Sequence, residues 1–414
     1  MLGSLFAGIS GLNANALAMT VIGDNIANVN TSAFKGTRSS FANILSQSLQ
    51  GSIGNEIGRG VQFWGTSPTW SQGSMENTNS PTDLAINGKG FFIVEDEGGT
   101  AYYTRAGLFN FDKDGYLTNP DGLFVQGYVV TSVNDDGTFN LGGIENILVP
   151  GESTSPPSAS DEFSIDINLD AGAEVADDYT TSITVYDSLG NPIDVTLTFT
   201  NAGNGQWTVA PSIPASAGTG ATIGGGASIT LTFDENGELL TPATNPTISL
   251  ALTNGAESPQ DIVWTLYDDT GASKGDVTGY AAPSAVVFQT QNGYPSGMLR
   301  GIVVDENGVI TGSYSNGQLV PLFQVALADF PSYYGLAKMG NNLYSESLAS
   351  GQAMPGTPGS GRLGNISPNC LEMSNVDLAS EFVKMITTQR AFQANSRVIT
   401  TSDEILAELI NIKR

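Results

Sequence analysis

The chain has 414 residues, 40% of them apolar and only 14% charged, with 50 glycines. Fifteen basic against forty-one acidic side chains leave a net charge of −26, a surface that repels phosphate backbones and anionic lipid and so argues against nucleic-acid and membrane partners. Histidine is absent and Cys370 is the single cysteine, which removes Ser-His-Asp and Cys-His catalysis, His/Cys zinc sites and internal disulfides; no cofactor or metal is expected.

Apolar residues at Leu2, Leu5, Ile9, Leu12, Ala16, Met19 and Ile26 follow a 3-4 alternation that predicts a helix ending near Asn28–Asn30, where asparagine tolerates the left-handed conformation. Gly3, Gly8, Gly11 and Gly23 each cost up to about 1 kcal/mol in a helix interior, so this helix is expected to be marginal alone. The run lacks the basic start of a secretory leader, and no stretch of about 20 apolar residues is apparent. Residues 31–75, rich in Ser, Gln and Gly but carrying Trp64 and Trp70, read as a partly ordered connector.

Beyond it the period changes to two. Phe91-Phe-Ile-Val94 is a continuous apolar run suited to a strand buried on both faces. Ile183 and Val185, then Val195, Leu197 and Phe199, then Ile229, Leu231 and Phe233 alternate with polar residues, and Phe323, Val325 and Leu327 do likewise. Asp112-Lys-Asp-Gly115, Asp234-Glu-Asn-Gly237 and Asp305-Glu-Asn-Gly308 read as hairpin turns with two left-handed central residues. A calcium loop is the alternative, but glycine falls at position 4 rather than 6. Between 151 and 285 lie eighteen acidic residues and one base, Lys274, hence −17 of the −26. That segment is either a solvated acidic surface or a divalent-cation site.

Leu378, Phe382, Met385, Phe392, Ile399, Leu406 and Ile410 return to the 3-4 spacing, with Ser374 or Asn375 as candidate cap and Asp377 in the first turn. The expected fold is therefore α+β and multidomain. Terminal segments 1–30 and 372–414 pair as a coiled-coil-like inner domain. The connector 31–75 follows, then a β core from 76–150 and 286–368, with an acidic β domain, 151–285, inserted into it.

Asp24-Asn25-Ile-Ala-Asn28-Val-Asn30-Thr-Ser-Ala-Phe34-Lys35 resembles the N-terminal motif of the bacterial flagellar axial proteins, the rod, hook and hook-associated family. Ala33 stands where many members have glycine, a departure expected to change little. Asp83 to Val94 with Tyr103-Thr-Arg105-Ala-Gly107 is similar to the family's β core. Glu372-Met-Ser-Asn-Val-Asp-Leu378 and Gln389-Arg390-Ala-Phe392-Gln-Ala-Asn395 resemble its C-terminal helix. Tyr186-Asp-Ser-Leu-Gly-Asn-Pro192, Gln206-Trp207 and Gly293-Tyr-Pro-Ser-Gly297 resemble segments of its hook members.

The resemblance implies a self-assembling extracellular tube with the terminal helices lining a channel. It also implies export without a cleavable signal through the flagellar type III apparatus. The implied partners are further copies of the chain, a distal rod protein, a hook cap protein and a hook–filament junction protein. A distal rod subunit is the near alternative. A secreted glycan-binding adhesin, using Trp64, Trp70, Trp207 and Trp264 as a sugar platform, and a hydrolase with two carboxylates are the distant ones.

Overall fold

The computed structural model describes residues 2–412 other than 45–46, 49–55, 135–136, 152 and 269. Two long helices stand at the ends, α1 (Leu2–Ala27) and α2 (Leu378–Ile412), and pack on one another. Among the described residues, what lies between them is β structure and turns, apart from a 3-10 turn at Tyr333–Gly335. The α+β expectation holds: paired terminal helices with several sheets between.

The chain divides into two compact units. The first joins Met1–Gly151, Ile302–Gly312 and Val320–Arg414. Its centre is strand Phe91–Glu95, whose Phe91, Phe92, Ile93 and Val94 are all buried. Antiparallel neighbours Ala101–Thr104, Phe124–Val133 and Leu327–Asp329 flank this strand. On one face Trp70, Phe91, Tyr103, Phe330, Tyr333 and Tyr344 form a mesh of edge-on and tilted rings, with centroids 4.8–5.8 Å apart. Such pairs add to the burial of their apolar area. Residues distant in sequence close the unit: Asn365–Pro368 pairs with Leu84–Asn87, and Cys370–Glu372 with Met75–Asn77.

Within residues 31–75 a ribbon forms, Thr37–Asn43 antiparallel to Val61–Pro68, with a register slip at Ser40/Phe41. Ser10 of α1 ties to it by accepting Val61 N–H at 3.2 Å. The part of the connector over 45–46 and 49–55 lies outside the described residues.

The second unit comprises Glu152–Gly301 and Ser313–Leu319. It contains a five-stranded meander (Asp178–Tyr186, Pro192–Gly203, Gln206–Ser212, Ile229–Phe233, Leu239–Thr241) and a six-stranded sheet around Glu162–Asn168. Their inward residues share one core that includes Phe163, Ile165, Val195, Leu197, Phe199, Leu231 and Trp264. The outward positions between them carry Thr, Ser and Asp, which is the alternation a half-buried sheet requires. Trp207 and Trp264 are buried in this core and Trp70 belongs to the ring mesh, which leaves Trp64 as the exposed indole; the four do not make a sugar platform.

The Asp-x-x-Gly segments are turns, but not with two left-handed residues. At 112–115, 234–237 and 305–308 only the glycine has positive φ, at 89°, 81° and 73°. The leading aspartate turns inward, and one carboxylate oxygen accepts the N–H groups two and four residues on. These are aspartate-capped turns closing on a left-handed glycine, the three-residue loop with a bulge rather than the two-residue type. The backbone bond from Glu238 is the main cause that holds the Asp234 carboxyl below the usual carboxylate range. In each turn that oxygen is committed to the chain's own backbone. Among the described residues no three His, Cys, Asp or Glu side chains converge so as to hold an ion.

Candidate assembly surface and its buried clasp

The seam between the helices runs along small residues. On α1 the buried positions are Gly8, Gly11, Ala14, Ala18, Ile22 and Asn25, a 3-4 series one step away from the large apolar residues. A Cβ on Gly8 would lie 3.2 Å from Ile399 Cγ1, and one on Gly11 would lie 2.7 Å from Asn395 Nδ2. The glycines that weaken the helix are thus what lets the two backbones approach. Among the predicted seam residues Leu5, Leu12, Met19 and Ile26 flank this line and are half-buried, and Ile9 is exposed. On α2, Met385, Ile399 and Leu406 are half-buried, whereas Leu378, Phe382 and Phe392 are exposed. The side chains of Leu2 and Ile410 lie outside the described ones.

The pair leaves much apolar surface in water. Phe6, Leu17, Phe382, Val383, Ile386 and Ile405 are 46–63% exposed. A groove of about 430 Å³ between the helices is lined by Ala16, Met19 and Phe392 with Asn15, Thr20, Gln389 and Gln393 at its sides. By length and composition Gly3–Ala27 is apolar enough to cross a membrane, which corrects the sequence reading; its alanines add to the leucines and isoleucines in raising its hydropathy, and no charged side chain occurs before Asp24.

At the base of the helices the motif residues interlock. Asn25 accepts Thr37 N–H at 2.8 Å, donates to Thr37 O at 2.8 Å and reaches Glu381 Oε2 at 3.3 Å, so its amide joins both helices to the ribbon. Lys35 and Glu372 form an ion pair with side chains 1% and 0% exposed. Arg105 NH1 approaches the other Glu372 oxygen at 3.5 Å, and its NH2 donates to Gly88 O at 2.8 Å. Lys35 also donates to Ser71 O at 3.1 Å, while Gly73 N–H donates to Glu372 at 2.9 Å. Arg105 lies over the Phe91 ring, 5.4 Å from its centroid. Burial pulls the Lys35 ammonium below its ordinary range, and Glu372 opposes that pull.

Asn375 does not cap α2. It accepts Gly36 N–H at 2.8 Å and donates to Thr69 O and Ser71 O at 2.8 and 2.9 Å. The cap is Asp377, whose Oδ1 accepts Ala379 N–H at 2.9 Å. Asn28 bonds back to Asp24 O, Phe34 is half-buried, and Asn30, Gln389 and Arg390 face solvent. Neither Asn28 nor Asn30 is left-handed. That conformation falls on Ala33, with φ 57° and 1% exposure. The alanine in the glycine position therefore carries strain of roughly 1–2 kcal/mol, more than the sequence reading allowed.

Glu372 and Arg105 were quoted within motifs but not singled out. The available signal was weak: Glu372 has no other charge within four residues on either side, and Lys35 has Arg38 three residues on.

Four family models match along the chain. They are "Flagella basal body rod protein" over residues 5–35, "Flagellar hook protein FlgE/F/G D1 domain" over 85–185, "Flagellar basal body protein FlaE D2 domain" over 168–294, and "Flagellar basal body rod FlgEFG protein C-terminal" over 368–412. The flagellar hook protein FlgE of Escherichia coli is 34% identical over 427 residues, covering 98% of both chains; that of Borreliella burgdorferi is 33% identical over 450 residues, covering all of both. The chain belongs to the flagellar hook protein FlgE family. Members of the FlgE family are structural axial subunits of the hook, and this chain is one: extracellular, flagellar and non-enzymatic. The crystal structure of Helicobacter pylori flagellar hook protein FlgE2 shares the fold, with TM-score 0.50 at 15% identity over 70% of this chain and 98% of that one.

Proposed function

We propose that α1 and α2 form the inner assembly surface of a helical homopolymer. The observation that carries this reading is the exposed apolar stripe flanking the glycine–alanine seam. The small residues are used within the chain, and the larger ones at Leu5, Ile9, Leu12, Met19, Ile26, Leu378, Phe382, Met385, Phe392, Ile399 and Leu406 remain at least partly open to neighbouring copies. Burial of each such side chain contributes about 1.5–3 kcal/mol, and the gain recurs in every copy. Leu2 and Ile410 belong to the same surface by spacing.

In this reading residues 1–30 and 372–414 form the channel-lining layer, 76–150 with 286–368 the core domain, and 151–285 the outer domain. The tube is a flexible joint that carries torque from rod to filament. Its axial partners are a distal rod protein, a hook cap protein and a hook–filament junction protein, and the flagellar type III apparatus exports the chain without a cleavable signal. The acidic outer domain governs curvature and its dependence on salt, because exposed charges are screened beyond about 8–10 Å at ordinary ionic strength.

Deleting both ends tests the central claim. A chain of residues 28–377, which lacks α1 and α2 but keeps Lys35, Trp70, Arg105 and Glu372, should stay folded and form no polymer when examined by sedimentation and negative-stain imaging. Normal tubes from it would refute assembly through the helices.

A further inference from the structure

The pair Asn-Gly occurs seven times, with asparagine at 87, 204, 236, 254, 292, 307 and 316. Asparagine is among the thermolabile residues, and a following glycine, lacking Cβ, leaves its own nitrogen open to approach the side-chain amide. Reaction needs that amide and that N–H free to turn toward each other. At five of the seven they are held. Gly237, Gly308 and Gly317 N–H donate to Asp234 O, Asp305 O and Tyr314 O at 3.0–3.1 Å. Gly293 N–H donates to Gln291 Oε1 at 2.5 Å, and the Asn292 side chain accepts Asp161 N–H at 3.1 Å. The Asn254 amide donates to the buried Asp187 at 2.6 Å. At the sixth, the Asn87 backbone lies in a ladder opposite Asn365, Arg105 holds Gly88 O at 2.8 Å, and the Gly364 backbone closes on Gly88.

Asn204 has none of these restraints. With Gly205 it forms the tip of the hairpin between Pro192–Gly203 and Gln206–Ser212, where both residues are left-handed, with φ 54° and 71°. This is the two-residue turn that Asn-Gly favours. Both residues are exposed, and among the described residues neither the Asn204 side chain nor Gly205 N–H has a hydrogen-bond partner. Gly205 is tied at its carbonyl instead, which accepts Phe233 N–H at 3.1 Å.

We propose that Asn204 is a site of spontaneous deamidation. Gly205 N bonds to Asn204 Cγ and gives up its proton to water, the Cγ–Nδ2 bond breaks, and ammonia leaves. Water then opens the cyclic imide at either carbonyl, giving aspartate or isoaspartate with no change of oxidation state. Either product adds a negative charge to a segment already at −17. Isoaspartate also places an extra backbone carbon in a turn that closes in two residues, next to the ladder pair of Asn201 and the buried Trp207. The step needs no enzyme, so its extent in each copy records the age of that copy.

The test keeps the full-length folded chain in mildly alkaline buffer and follows all seven pairs by mass spectrometry of their peptides. Each hydrogen bond that must break lowers the reactive population by roughly twofold to tenfold. Conversion at Asn204 should therefore outrun that at Asn307, where Gly308 N–H is engaged, by about that factor. It should outrun Asn292, where both groups are engaged, by roughly tenfold or more. In the urea-unfolded chain the seven should convert at comparable rates. A folded-state rate at Asn204 no higher than at the five bonded pairs overturns the proposal. So does a ranking that survives in urea, since sequence context rather than the fold would then set it.

Discussion

Replacing Glu372 with glutamine should unfold the first unit selectively. The carboxylate is fully buried and is the counter-charge for both Lys35 and Arg105, residues that are themselves 2% and 5% exposed. Removing it leaves two buried cations side by side with an amide that neutralises neither. Breaking a buried ion pair by deleting one partner costs about 3–5 kcal/mol. With a urea dependence of about 2 kcal/mol per molar, the unfolding midpoint should fall by roughly 1.5–2.5 M. Trp70, packed 5.5 Å from Phe91 and 5.2 Å from Tyr344, reports on this unit. Trp207 and Trp264 lie in the separate core of the other unit and supply an internal reference. Keeping each indole alone by Trp→Phe changes separates the two transitions. Lys35→Met combined with Glu372→Gln should cost less than the two single changes together, because the second removes a partner already lost. A fall below about 1 kcal/mol, strict additivity, or a shift confined to Trp207 and Trp264 would refute the reasoning.

Three further outcomes follow from the geometry. Gly11→Ala should be tolerated, since the amide end of Asn395 can swing away, whereas Gly11→Leu should part the helices. The check is loss of polymer, with the urea midpoint reported by Trp70 shifted by less than about 0.5 M. Ala33→Gly should stabilise the first unit by up to about 1 kcal/mol, because relief of the left-handed strain exceeds the added freedom of the unfolded chain; thermal melting that shows destabilisation would count against it. Burial pushes the Tyr344 phenol up to about 12. Its folded value lies above the unfolded one near 10, so the stability it contributes is complete below pH 10 and is lost as pH rises toward 12. That loss is on the order of 2–3 kcal/mol. Absorbance at 295 nm should show this tyrosine ionising after the exposed ones, and ionisation with them near pH 10 would exclude the assignment.

Much of the architecture was legible because periodicity reports burial. The alternation at Val195, Leu197 and Phe199 gave the sandwich strands, and Phe91–Val94 gave the central one. Spacing at the ends gave both helices but misplaced the contact line, since a hydropathy reading favours large side chains whereas close helix packing favours Gly8, Gly11, Ala14 and Ala18. The cap was ambiguous for another reason. Ser374, Asn375 and Asp377 are all good caps locally, and only the long-range bonds from Asn375 to Gly36, Thr69 and Ser71 exclude it. Ala33 was misjudged because sequence carries no φ. The ribbon of Thr37–Asn43 and Val61–Pro68 was read as connector because Thr37–Asn43 holds little apolar alternation, its pairing being backbone-driven.

The zipper that closes the first unit has a temporal side. Its strands Leu84–Asn87 and Met75–Asn77 gain their partners from Asn365–Pro368 and Cys370–Glu372, nearly three hundred positions later in the chain. A chain synthesised amino-end first must therefore wait with those edges open until almost its whole length has been made. Maturation of this body is gated by the tail, and a subunit cut short on the way leaves an unfinished edge rather than a smaller working part.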